Sequence, residues 1–217
     1  MEGPVVVASI GFSADLIMRR IARGGVRELI AVGLDAGDNA VERVESTFNL
    51  LKVYLNSMRI PSELRIVKLR GGGEPWFPVA EAKNIIAEAL ARSGGEGVEL
   101  LLSGGPRMLV VGLLAAALSM RREEADRIRV LAYGEGFPGR LELGLGPLAS
   151  LLCLSPRDRA LLELIAAGYR ETSVLLEKSG LPRSTLFKKL NELERLGLIR
   201  RDGRGLWTLD EGLERLL

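Results

Sequence analysis

VVVASIGFSADLI (5–17) and VELLLSGGPRMLVVGLL (98–114) share one plan. In each, a short apolar run with the composition of a strand breaks at glycine and passes into a helix pattern. The break is Gly11-Phe12-Ser13 in the first and Ser103-Gly104-Gly105-Pro106-Arg107 in the second. A turn that ends a strand and opens a helix leaves peptide N–H groups unpaired at the positive end of the helix dipole, where an anion binds. Gly104 and Gly105 let a backbone approach a ligand with no Cβ in the way. Pro106 suits the first turn of a helix, and Arg107 offers a forked guanidinium to phosphate. The same form also serves α/β folds as a plain connecting turn, so the motif alone decides nothing. The Gly11-Phe12-Ser13 turn lacks GxGxxG, and SGGPR lacks the Lys-Ser/Thr of a P-loop, so a dinucleotide or ATP site is not expected. Phe12 either stacks on a base or acts as a hydrophobic staple.

Outward from these two segments, strand and helix signals alternate through residues 1–145. ELIAVGL (28–34) and ELRIVKL (63–69) read as strands. ADLIMRRIARG (14–24) reads as a helix with Leu16, Ile17, Ile21 and Ala22 on its apolar side. Asp38 is placed to cap a helix over 40–58, where Val41, Val44, Phe48, Leu51 and Leu55 form a stripe. A loop with Gly71-Gly72-Gly73 precedes a helix over 79–93. IRVLAYGE (128–135) and GRLELGL (139–145) read as a closing pair of strands. The expected fold is α/β, a Rossmann-like, mostly parallel sheet with strands buried on both faces. In such sheets ligands bind beyond the carboxyl ends of the strands, at a switch in strand order. Both glycine turns lie at such ends and converge if the first and fourth strands are neighbours. Glu135, in YGEGF, either faces that crevice or is a solvated loop carboxylate.

From Ser155 the pattern changes. Ser155-Pro156 starts a helix through 157–168, and Thr172 opens a short helix. Gly180-Leu181-Pro182 is a turn, and Ser184 caps STLFKKLNELERLG, with Leu186, Leu190, Leu193 and Leu196 on one face. LIRRDGRGLWTL (198–209) reads as a hairpin around Asp202-Gly203, and DEGLERLL (210–217) as a last helix. This order is that of a winged helix-turn-helix. The expected division is a ligand-sensing domain over 1–145, a packed apolar connector over 146–154 and a DNA-binding domain over 155–217. Residues 183–204 carry seven basic side chains against three acidic ones, although the whole chain of 217 residues is only +2. Ser184, Thr185, Lys188 and Lys189 fall early in the helix, where base edges are met, with Arg183 beside them. Arg200, Arg201 and Arg204 of the wing are placed for phosphates or the minor groove. Phe187 and Trp207 are expected in the core of this domain.

Composition closes off several chemistries. The chain has no histidine, which excludes His bases, His metal ligands and Ser-His-Asp triads. One cysteine, Cys153, allows no disulfide within the chain and reads as a small buried hydrophobe. No metal site and no paired-carboxylate catalytic site emerges from the carboxylates. LVVGLLAAALSM (109–120) is too short to span a membrane, and MEGPVVVASIG lacks a basic leader region, so a cytoplasmic protein is expected. The absence of glutamine and the wealth of Arg and Glu lean toward a thermophile.

Together these segments resemble the CRISPR-associated transcriptional regulators of Csa type, which join a CARF domain to a C-terminal winged helix. The carriers are GFSADLI (11–17), LLSGGPRMLVVGLL (101–114), YGEG (133–136) and the winged-helix pattern from Ser155, so the resemblance covers essentially the whole chain. It implies a homodimer whose first two turns form a pocket across the dimer axis for a cyclic oligoadenylate, most often cyclic tetra-adenylate. Gly11, Phe12 and Ser13 would be the first ligand motif, and Ser103, Gly104, Gly105, Arg107 and Met108 the second. It also implies binding to double-stranded DNA at promoters or CRISPR repeats. Some CARF proteins cleave the ring, and Arg107 with Ser13 or Ser103 would position phosphates for a slow cut without metal. A ring nuclease is therefore one alternative, and a transcription factor sensing another small anionic metabolite is a second.

Overall fold

The computed structural model describes residues 2–37, 39–68, 76–134, 139–210 and 213. By its internal contacts the chain divides into two units, Met1–Leu145 and Gly146–Leu217. Asp38, the Gly71–Gly73 loop, Glu135 and most of the last helix expected over 210–217 lie outside the described residues.

The larger unit is built on strands β1 (Val5–Ser9), β2 (Glu28–Asp35), β3 (Ser62–Lys68), β4 (Val98–Leu101), β5 (Ile128–Tyr133) and β6 (Arg140–Gly144). They form one six-stranded sheet in the order β3-β2-β1-β4-β5-β6. The first five pair in parallel, and β6 runs antiparallel to β5 with Arg140 opposite Tyr133. The Rossmann-like α/β sheet is thus present. Every residue of β1 is buried, as its unbroken apolar run requires of a central strand. The chain steps from β1 out to β3, then crosses back over two strands to β4. That reversal seats β4 beside β1, with Ala8 opposite Leu101, and brings the two glycine turns together.

Helices α1 (Asp15–Ile21), α2 (Ala40–Ser57), α3 (Phe77–Arg92), α4 (Arg107–Leu118) and the short α5 (Arg122–Ala125) connect the strands. Ile17 and Ile21 of α1 pack with Val44, Phe48, Leu51 and Leu55 of α2 into the core. Val41 is only half-buried at the edge of that stripe. Ala22 is not part of the apolar side of α1; it is the exposed C-cap residue, ahead of Gly24 and Gly25 at φ 75 and 65. Asn39, in a left-handed conformation at φ 59, is the N-cap of α2. Beneath α1, Arg20 and Glu99 form an ion pair whose side chains are 9% and 6% exposed. Arg129 also binds Glu99, at 2.9 Å, and Arg20 donates to the Gly24 carbonyl at 2.9 Å.

The smaller unit contains all of α6 (Leu145–Leu152) but its first residue, then α7 (Pro156–Ala166), α8 (Thr172–Ser179) and α9 (Arg183–Arg195), and strands β7 (Ile199–Arg201) and β8 (Trp207–Leu209). Most of the 146–154 connector is therefore a helix. Pro147 falls in its first turn, where the missing N–H would have no partner in any case. Ser155 caps α7 as expected: its Oγ accepts the Asp158 N–H at 3.2 Å. Helix α9 begins two residues earlier than a Ser184 cap would start it, with Pro182 as N-cap, and Ser184 makes no capping bond. Strands β7 and β8 pair antiparallel, with Arg201 opposite Trp207, and a bridge from Glu171 to Leu206 adds a third short edge. This is a winged helix-turn-helix. Leu161, Leu162 and Ile165 of α7 pack with Leu186, Leu190 and Leu193 of α9 and with Trp207 to make its core. Thr172 Oγ1 accepts from Trp207 Nε1 at 3.0 Å and donates to the Gly205 carbonyl at 2.9 Å, tying the wing to α8. Phe187 is not core: it is 37% exposed, because it lies off the leucine ladder of α9. Cys153 is likewise exposed, just past the end of α6.

Candidate functional site

Two surfaces collect the candidate residues, one in each unit. In the larger unit a crevice of about 730 Å³ opens beyond the carboxyl ends of β1 and β4. Its walls include Gly11, Phe12 and Ser13 from the first turn and Ser103, Gly104, Gly105 and Pro106 from the second. The two turns touch. A Cβ on Gly11 would lie 2.8 Å from Gly105 Cα, and one on Gly105, at φ +78, would lie 2.8 Å from the Ile10 carbonyl oxygen. Only glycine at both positions lets the backbones close to this distance.

Internal hydrogen bonds use part of the amide cup that the sequence promised. Ser9, fully buried at the end of β1, donates to the Leu101 carbonyl at 3.3 Å and accepts the Gly104 N–H at 3.4 Å. The Ser103 hydroxyl oxygen accepts the Tyr133 N–H at 2.6 Å, and Ser13 Oγ accepts the Asp15 N–H at 3.2 Å. These N–H groups are committed to the protein. What stays open is the N-terminus of α4, where Pro106 is extended and no side chain caps the helix. Arg107 and Met108 come next in the chain at this helix start; both are exposed and neither lines the crevice.

Sequence reasoning missed three residues here. Ser9 has no motif, only its place at a strand end. Asp15 lines the crevice and puts a carboxylate at the first position of α1, where it suits the helix dipole and repels an anion. Arg43 of α2 stacks its guanidinium over the Phe12 ring, 3.7 Å from the centroid. Phe12 is 58% exposed, which excludes the buried staple and leaves an aromatic–cation pair at the crevice mouth. The helical spacing of α2 alone carries no signal that Arg43 meets residue 12.

In the smaller unit, the exposed side of α9 displays Arg183, Ser184, Phe187 and Lys188, while Thr185 is half-buried. Arg183 lies 5.8 Å from the Phe187 ring centroid. Lys189 departs from the expected set. It turns inward to Asp158 of α7, and both side chains are only 18% exposed. Burial pushes the Asp158 carboxyl up, but hydrogen bonds from Lys189 and Ser155 outweigh it and hold the group below the ordinary carboxylate value. In the wing, Arg200 donates to Thr208 Oγ1 at 3.4 Å. Arg201 donates to Asn191 Oδ1 at 2.7 Å and covers the Trp207 ring at 4.8 Å, and Arg204 is exposed at the hairpin tip.

Comparison with known proteins follows this division. Residues 4–140 match the model of the Csa3 CRISPR-associated Rossmann-like domain. Residues 158–203 match the IclR helix-turn-helix domain. No curated protein matches the chain significantly. Among solved structures, the chain is similar to Enterococcus italicus Csm6 bound to cyclic hexa-2'-fluoro-hexa-dAMP, at 8% identity and a TM-score of 0.56, over 90% of this chain and 55% of that one. It also aligns with Can2 from Sulfobacillus thermosulfidooxidans in complex with cyclic tetra-adenylate, at 12% identity and a TM-score of 0.39, over 98% of this chain and 62% of that one. The chain thus spans less than two thirds of the length of either, and at such identities the Csm6 likeness is one of fold. No helix among the described residues is long and apolar enough to cross a membrane. The strand order, the paired glycine turns and the matched Rossmann-like region lead to one assignment: the chain belongs to the Csa3 CRISPR-associated Rossmann-like family, here followed by an IclR-type helix-turn-helix.

Proposed function

We propose that this protein is a CRISPR-associated transcriptional regulator that binds a cyclic oligoadenylate in its Rossmann-like domain as a homodimer and binds double-stranded DNA through its winged helices. Cyclic tetra-adenylate is the first candidate ligand. The observation that carries the reading is the contact between Gly11 and Gly105, which makes one crevice of two turns. Three features of the crevice support a nucleotide. The uncapped start of α4 and the Arg107 side chain suit a phosphate. Arg43 supplies a second cation, and the open face of Phe12 suits a base. The apolar walls suit the faces of an adenine ring. The Asp15 carboxylate sets the phosphate toward α4 and away from α1.

A ring of repeated nucleotides presents equivalent groups about a two-fold axis, so it suits an isologous pair of crevices. Met108 and Val111 support such pairing, since they sit three residues apart on the same side of α4 and are 64% and 65% exposed. In the smaller unit, Lys188, Arg183 and Arg204 are the cations best placed for phosphate, and Lys189 serves the fold.

Titration calorimetry of the full chain against cyclic tetra-adenylate, cyclic hexa-adenylate and AMP tests the ligand. A ring bound by two chains, with AMP far weaker, is the expected result. AMP binding as tightly as either ring overturns it in favour of a metabolite sensor. Recovery of the intact ring after incubation separates a sensor from a ring nuclease. For DNA, Lys188→Ala is expected to weaken gel-shift affinity and lower the salt slope by about one per subunit, about two for the dimer.

A further inference from the structure

Helix α9 presents an aromatic ring where a nucleic-acid-binding helix ordinarily presents polar groups. Leu186, Leu190 and Leu193 are buried and fix the inner side of the helix. Turning from that ladder at the helical period, Ser184, Phe187, Lys188 and Asn191 share the outer side. Phe187 keeps 37% of its surface exposed there, among the most polar residues of the unit. Arg183 holds its guanidinium 5.8 Å from the ring centroid, which restrains the ring. Such a ring gains nothing from water, and the cations around it select a polyanion for its partner. The floor of a DNA major groove offers one apolar group to a ring so placed, the C5-methyl of thymine.

We infer that Phe187 is a specificity-determining residue of this module and reads the C5-methyl of thymine in the major groove, flanked by Arg183 and Lys188 on phosphate. The inference rests on the proposed DNA-binding role of the smaller unit. It commits to double-stranded DNA as the occupant of this face through charge complementarity, since Arg183 and Lys188 beside the ring are basic, Ser184 and Asn191 are uncharged, and Glu194 further along the helix is paired with Arg201. A contact to thymine differs from the hydrogen bonds of the neighbouring polar residues because deleting one methyl group from the DNA removes it and leaves every base pair intact.

The test uses the full chain and a duplex that it selects from a randomised library. Each thymine of the selected duplex is replaced in turn by uracil, which lacks only the methyl. The wild-type protein is expected to lose roughly fourfold in affinity at each contacted thymine, the loss for one methyl-sized group. Phe187→Ala is expected to bind the thymine duplex more weakly and to ignore the replacement. Lys188→Ala is expected to weaken both duplexes equally. Wild-type affinity unchanged at every uracil overturns the inference, and it does so without any variant that has to fold. A uracil penalty that persists in Phe187→Ala overturns it as well. So does unchanged selectivity with a lower oligomeric mass in Phe187→Ala, which makes the ring a protein contact. Failure of the wild type to select any duplex overturns the DNA-binding reading itself, a result distinct from indifference to uracil.

Discussion

The crevice and the outer face of α9 are made of opposite materials. The crevice is shaped by main chain: glycines at van der Waals limits, a serine that bridges two strand ends, and an open helix start. The α9 face is shaped by exposed side chains, paired where Arg183 meets Phe187 and Arg201 meets Asn191, each with its own small share of any binding. A surface of the first kind has little tolerance, because one added carbon displaces backbone. A surface of the second kind loses function by degrees. Each region also rests on an ion pair between elements. Arg20–Glu99 lies sealed under α1, whereas Lys189–Asp158 is half-open between α9 and α7.

The sharpest break in this contrast comes from the sealed pair. Glu99→Ala leaves the Arg20 guanidinium buried beside the Gly24 carbonyl without its carboxylate, and is expected to destabilise the larger unit by about 3–5 kcal/mol. Denaturant unfolding of the two units, followed separately, measures it; a loss under about 1 kcal/mol would place this pair with ordinary surface bridges. Next comes Gly105→Ala. Its Cβ meets the Ile10 carbonyl oxygen at 2.8 Å from a backbone at φ +78, so strain and clash are expected to open the crevice. Cyclic-nucleotide affinity should fall about a hundredfold or more, equivalent to about 3 kcal/mol, while gel-shift affinity of the ligand-free protein stays near wild type. Wild-type calorimetry from this variant would show that the two turns are not one site.

The smallest effect belongs to the half-open pair. Asp158→Asn is expected to cost the smaller unit about 1–2 kcal/mol at neutral pH. Because the folded carboxyl titrates below its unfolded value, its stabilisation is complete above the ordinary carboxylate value of about 3.9 and is lost as pH falls through the lower folded value. Melting curves of wild type and variant should therefore converge only in acid below that point. Curves that stay parallel down to strong acid would remove the charge from the account and leave only packing.

Much of this architecture is legible in the chain. The apolar run of β1 and the change from strand to helix pattern at each glycine turn locate the sheet and its crevice end. The neighbouring of β1 and β4 stays conditional in sequence, since no local pattern sets strand order across a long crossover. Other differences have local causes. Residues 146–154 read as a connector, yet a proline in a first turn starts a helix as readily as it ends one. Pro182 and Ser184 compete for one cap, and proline sets the extended entry by its own ring. Hydrophobicity alone turns Phe187 inward, although it sits about 100° from the leucine ladder. Arg43, Ser9 and Lys189 are beyond the reach of sequence because their roles depend on a partner from another element.

The serine bridges at the crevice floor have a last consequence. Ser9 holds the Gly104 amide and Ser103 holds the Tyr133 amide before any guest arrives. The receptacle's conformational freedom is surrendered when the chain folds, so capture needs little further ordering of loops. The heat-capacity change of association should then reflect water leaving apolar walls, and arrival should be limited by encounter more than by rearrangement.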